Sequence, residues 1–249
     1  MRKLLNIVII STVIGLMAAC RQQRPVDEEQ VNVGTSTSIE GDSTLYGLAC
    51  DGCTDTVLVF LPGKGGDPIT YNILEATKNR RIIGHPMVGD WVAVILNGED
   101  TTVADMVIDL DQLKGTWVEL AYPTVKERAV EIAIDEEMKK VQDSLIQAMM
   151  KPVEMGFSLK RHYQAQTVGR QRRSTQKDDD SPVVYPEIKN YTQWHVINGQ
   201  LVLTSQSRSL NDSVKGEVIN DTADFIFMTR DSLRLRFKDR EKGLYRVDR

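Results

Sequence analysis

Hydrophobic positions recur on three different scales along this chain. Behind Arg2 and Lys3 an almost unbroken apolar run extends from Leu4 through Val13 to Met17-Ala18-Ala19-Cys20. Residues 21–43 have no hydrophobic period; they are polar, with Pro25, Asp27, Glu28, Glu29 and a Ser/Thr/Gly cluster. From Thr44 onward, short apolar runs alternate with Gly, Pro and Asn clusters, the mark of β-strands separated by turns.

Within residues 44–111, positions 56–61 read as a buried strand, stopped by Pro62-Gly63-Lys64-Gly65-Gly66-Asp67-Pro68. Strands over 69–74, 81–83 and 91–96 follow. Gly89-Asp90 opens the last of these and Asn97-Gly98 closes it with a hairpin signal. Five or six short strands with regular turns predict a small barrel or sandwich, and Gly or Pro interrupts every window long enough for a helix.

The segment 112–249 repeats the β pattern at larger scale. Tyr191-Thr192-Gln193-Trp194 and the run 196–203 flank Asn198-Gly199, a second hairpin signal. Residues 222–228 and 232–237 form a further pair, the latter in strict alternation. Leu233, Leu235 and Phe237 face a core and Arg234, Arg236 and Lys238 face water. One stretch breaks the period. Over 124–151, Val125, Ala129, Ile132, Met138, Val141, Leu145 and Met149 fall near one stripe of a helix, with Thr124 and Glu127 as a capping box and Pro152 as the stop. Such a helix either packs outside the core or covers a barrel mouth. Residues 168–182, with Arg170, Arg172, Arg173 and Asp178, Asp179, Asp180, read as a solvated loop.

Three short motifs carry resemblances. Gly115-Thr116-Trp117 resembles the first strand of lipocalin-like barrels, where an aromatic residue plugs the closed end. The order from Gly115 to Tyr245-Arg246 resembles the lipocalin-like domains of lipoproteins from Bacteroidetes-type bacteria. The fold class this implies is mainly β: a small OB-like or barrel unit over 44–111, then a lipocalin-like antiparallel barrel over 112–249 with one inserted helix. It implies a non-catalytic protein that holds a small apolar ligand or a partner in the envelope. Trp117, Tyr163 and Trp194 are candidate pocket aromatics, with core filling the competing role. Met17-Ala18-Ala19-Cys20 resembles a bacterial lipobox. That implies a removed signal over 1–19, lipid on Cys20, and a flexible tether over 20–43. Arg21 then points to the outer membrane, its face left open.

Composition narrows the classes. The net charge is -4 with the basic residues scattered, which gives no reason to expect nucleic acid. No second apolar run is long enough to cross a bilayer. Catalytic motifs such as a nucleophile elbow, His-Glu-x-x-His or a Walker loop are missing from the sequence, and no cofactor is indicated. The sharpest motif after Cys20 is Cys50-Asp51-Gly52-Cys53. It admits a structural disulfide, a soft metal site for Cu(I) or Zn, or a redox pair; the oxidising envelope favours the disulfide. It is similar to the Cys-x-x-Cys of NlpE-type envelope lipoproteins. That resemblance implies the alternative reading, copper or envelope-stress sensing through Cys50 and Cys53.

Overall fold

The computed structural model describes residues 41–126, 135–169, 182–206 and 218–247. The signal segment, Cys20, the tether before Gly41 and most of the charged loop after Val168 lie outside the described residues.

The first β unit is a six-stranded sheet. It comprises β1 (Leu45–Ala49), β2 (Val57–Pro62), β3 (Ile69–Asn72), β4 (Ile82–Ile83), β5 (Trp91–Leu96) and β6 (Ala104–Asp109), ordered β3-β2-β1-β5-β6-β4. All neighbours are antiparallel except β4 and β6. The ladder is open between β3 and β4, where the strand pattern leads one to expect a small barrel. A single parallel bridge from Asn72 to Val103 draws the β3 edge toward the turn before β6. Two short helices also correct the all-strand reading. Residues 73 and 74 leave the strand, and α1 (Leu74–Lys78) buries Ala76; α2 (Leu110–Leu113) follows β6 directly. Each is about one turn, too short for the hydrophobic period to reveal.

The second unit is an eight-stranded antiparallel sheet made of β7 (Gly115–Ala121), β9 (Val153–Leu159), β10 (Ala165–Val168), β12 (Tyr191–Ile197), β13 (Gln200–Gln206), β14 (Val218–Met228), β15 (Ser232–Phe237) and β16 (Glu241–Val247). Their order is β10-β9-β7-β16-β15-β14-β13-β12. The two edges nearly close into a barrel. Gln164 bridges Gln193, and the Trp194 N–H donates to the Tyr163 carbonyl at 2.9 Å. The Thr167 hydroxyl completes the seam, donating to the Lys189 carbonyl at 2.7 Å and accepting from the Tyr191 N–H at 2.8 Å. The Asn198-Gly199 hairpin forms as its sequence demands: both residues sit in the left-handed region (φ 48° and 79°) between Ile197 and Gln200. On β15 the alternation also holds: Leu233 and Leu235 are buried, Phe237 is partly buried, and Arg234, Arg236 and Lys238 are exposed.

Residues 127–134, which include Glu127 of the capping box and Ala129 and Ile132 of the helical stripe, lie outside the described residues. Thr124 and Val125 are not helical; they form β8 (Thr124–Val125), paired with β11 (Val183–Val184). The helix is α3 (Glu136–Met149), and its cap is Asp135, whose carboxylate accepts from the Met138 N–H at 2.7 Å. Thr124 is therefore not the cap. Two β-branched residues in sequence suit an extended pair better than a first helical turn.

β5 explains how the two units are joined. Its run Trp91-Val92-Ala93-Val94 is apolar without alternation because both faces are covered. Val92 and Val94 pack with Ala49, Leu58, Phe60, Tyr71 and Val107. Ala93, with Met106 and Ile108 from β6, joins the cluster that contains Trp117, Trp194 and Met228 of the barrel.

Candidate ligand site at the barrel mouth

The barrel has a plugged end and an open end. At the plugged end Trp117 is fully buried and its indole donates to the Leu113 carbonyl at 2.8 Å. The Arg246 guanidinium lies over the ring, 4.2 Å from its centroid. It also donates to three carbonyls: Arg230 at 2.6 Å, Lys114 at 2.8 Å, and Gln112. Gly115 makes this approach possible. Its φ is 140°, and an added Cβ would sit 2.2 Å from Arg246 Nη1.

Above that plug the interior is filled by Phe157, Trp194, Leu201, Leu203, Leu235 and Leu244. An eight-stranded barrel is just wide enough for side chains to fill it, and here they do. Toward the open end the same inward positions turn polar. Two residues on from Trp117 is Glu119; two before Leu244 is Lys242; two before Ala223 is Asp221. Lys242 donates to Glu119 at 2.7 Å and lies 5.9 Å over the Phe237 ring. Lys189 donates to one Asp221 oxygen, and the Tyr191 hydroxyl donates to the other at 2.9 Å. Burial, reinforced by the Asp221 charge, pushes the Tyr191 phenol far above its ordinary range, so it stays a donor.

These groups line a cleft of about 440 Å³ whose apolar wall is Leu120, Met155, Ile188 and Phe237. The volume falls in the range of small-molecule sites. An apolar wall beside fixed donors and acceptors suits an amphipathic molecule better than a purely apolar one, because the ionised groups lose hydration on contact with hydrocarbon.

The aromatic residues singled out from sequence sit elsewhere. Trp117 belongs to the plug. Trp194 is buried, and its indole donates to the Lys160 carbonyl at 2.9 Å. Tyr163 stacks on His195 at 4.7 Å between centroids and tilts against Trp194, with Tyr46 and Trp91 of the first sheet packed on the same cluster. None of the three lines the mouth cleft. Burial lowers the His195 pKa below its ordinary 6.5, against a smaller opposing pull from Asp42. The mouth residues Glu119, Asp221 and Lys242 escape a motif search. They are visible only when each strand's inward phase is carried past its apolar part.

Cys50 and Cys53 are not joined to each other in this structure. The backbone already holds the turn between them. The Val59 N–H points to Cys53 Sγ at 3.3 Å, and that thiol lies 3.1 Å from the Cys50 carbonyl. Among the described residues no group of three or more metal-binding side chains comes together, so the pair has no third ligand there.

The class these observations define is a nearly closed eight-stranded antiparallel barrel, plugged at one end and open through a polar cleft at the other. No family model and no curated protein matches the chain. Among solved structures it is similar to a lipocalin-like protein from Bacteroides thetaiotaomicron, with 17% identity, 54% of this chain and 95% of that chain covered, and a TM-score of 0.30.

Proposed function

We propose that this chain is a non-catalytic binding protein of the bacterial envelope, held by lipid on Cys20 and receiving a small amphipathic ligand in the barrel mouth. The observation that carries the binding reading is the cleft itself. Two ion pairs, Lys242–Glu119 and Lys189–Asp221, stand beside an apolar wall. Preformed sites lose little entropy on binding. The ligand's apolar body would lie on Met155, Ile188 and Phe237, and its polar end would meet Tyr191 and the two ion pairs. The filled interior restricts it to the mouth.

The anchor reading rests on the lipobox resemblance of Met17-Ala18-Ala19-Cys20 and on the polar tether after it. Two or more acyl chains suffice for stable attachment. We also propose that the first sheet is OB-like in its curl.

Native mass spectrometry of the purified protein, with thermal shifts across a panel of amphiphiles, tests the binding reading. A retained small molecule, or a stabilisation abolished by Ala121→Trp at the cleft wall, supports it. A clean unliganded mass with no shift for any amphiphile overturns it. Intact-mass analysis of the membrane-extracted protein tests the anchor separately: a diacylglyceryl mass on a chain beginning at Cys20 is expected, and an unmodified Met1 start refutes it.

A further inference from the structure

Helix α3 carries more apolar surface than the barrel covers. Gln142, Ile146 and Met150 form the side that is partly buried. Met138, Val141, Leu145 and Met149 form a stripe beside it, and all four are exposed, Val141 to 69%. The spacing of three, four and four residues places them along one line of the helix. The helix buries no residue completely.

The stripe is not isolated. Leu120, Tyr122 and Val125 at the end of β7 and in β8, and Val218 at the start of β14, are also exposed. The strand directions put Leu120, Tyr122 and Val218 at the open end of the barrel, and Leu120 also lines the cleft. The Tyr185 hydroxyl ties β11 to the C-terminal end of α3 through the Lys151 carbonyl at 2.9 Å. Exposed apolar surface gathered round a mouth marks a contact surface.

We propose that this rim docks on the bilayer to which the chain is anchored, with α3 lying in the headgroup region and the mouth facing the lipid. The inference rests on the anchor reading above. Chain length makes it feasible. About twenty residues separate Cys20 from Gly41, and a flexible tether of that length has a root-mean-square span of about 25 Å. That tether ends at the plugged end, where the Asn198 amide donates to the Gly41 carbonyl. Strands of seven residues cover about 23 Å along their length, less when tilted, so a flexible chain of that length could reach from one end of the barrel to the other. Tethering also raises the local concentration of the rim at the bilayer into the millimolar range, where a contact of few side chains is populated. A second copy would need about 20–30 residues on each side for a stable interface, more than this rim supplies. Charge selects the lipid: Glu136, Glu137 and Asp143 nearly balance Lys139 and Lys140, so zwitterionic headgroups suit the helix better than anionic ones.

Hydrogen–deuterium exchange of the lipidated protein on phosphatidylcholine vesicles, compared with the unlipidated chain from residue 21 in dilute solution, tests this docking. On vesicles, amides of residues 136–150 should exchange about tenfold more slowly. The exposed double variant Val141→Glu, Leu145→Glu should lose that protection while remaining vesicle-bound and keeping its melting temperature. Equal exchange with and without vesicles overturns the docking, even when intact mass confirms the lipid. Protection that appears without vesicles and grows with protein concentration also overturns it, in favour of self-association. A missing lipid in the intact mass sinks the anchor reading itself, a result the exchange data cannot mimic.

Discussion

Asp109 shows how a single position can be shaped by competing demands. It is almost fully buried at the end of β6, yet its carboxylate caps α2 by accepting from the Gln112 N–H at 2.8 Å. Burial raises its pKa to about 6, helped by Asp90 and Asp111 and opposed by the cap bond. The folded state therefore binds this proton more tightly than the unfolded chain, and the contribution of Asp109 to stability falls as pH rises from about 4 to about 6. Asn caps a helix as well as Asp and carries no charge. Asp109→Asn is expected to melt higher than the wild type at pH 7, with the difference vanishing near pH 4; a difference constant across that range would refute the assignment. Arg246 is the second such residue. Removing its guanidinium uncovers Trp117 and leaves three carbonyls short of a donor. Arg246→Met should cost about 2–4 kcal/mol in denaturant unfolding.

Among the strands and helices, local chemistry is legible in the sequence where it acts through near neighbours. The Asn198-Gly199 turn needs two left-handed residues, and the sequence supplies them. Asn198 also accepts from the Ser43 N–H at 2.9 Å and donates to Gly41, holding the start of the chain's first sheet. Asn198→Ala should lose about 1 kcal/mol from strain and speed exchange at Thr44 and Gln200. The helical stripe includes Val125, but β11 recruits that residue into a strand pair, which no local period shows. Asp135→Ala should fray the first turn of α3 by about 1 kcal/mol, seen as faster exchange at Met138, while Thr124→Ala leaves the helix untouched. The surroundings of the cysteine pair are illegible in sequence for a different reason. Spacing shows that two thiols are close in sequence, but not that backbone groups already engage one of them.

For the whole molecule, the decisive feature is the core shared by the two sheets. Ala93, Met106 and Ile108 pack in one cluster with barrel residues. Ile108→Ala is expected to cost about 2–5 kcal/mol and to lower one common transition, monitored by exchange in β1 and in β13; two separate transitions would contradict the shared core. The sequence by itself determined the strand-rich character, the Gly115-x-Trp117 start, the Asn-Gly hairpin and the alternation of β15. Each follows from steric rules or periodicity within a few residues. Only the tertiary structure decided that both faces of β5 and β6 are buried, that the barrel is filled, and that Glu119, Lys242, Asp221, Lys189 and Tyr191 converge on one cleft. Those outcomes depend on register between strands up to more than a hundred residues apart, and pairing at that distance leaves no mark in the local pattern of a single chain.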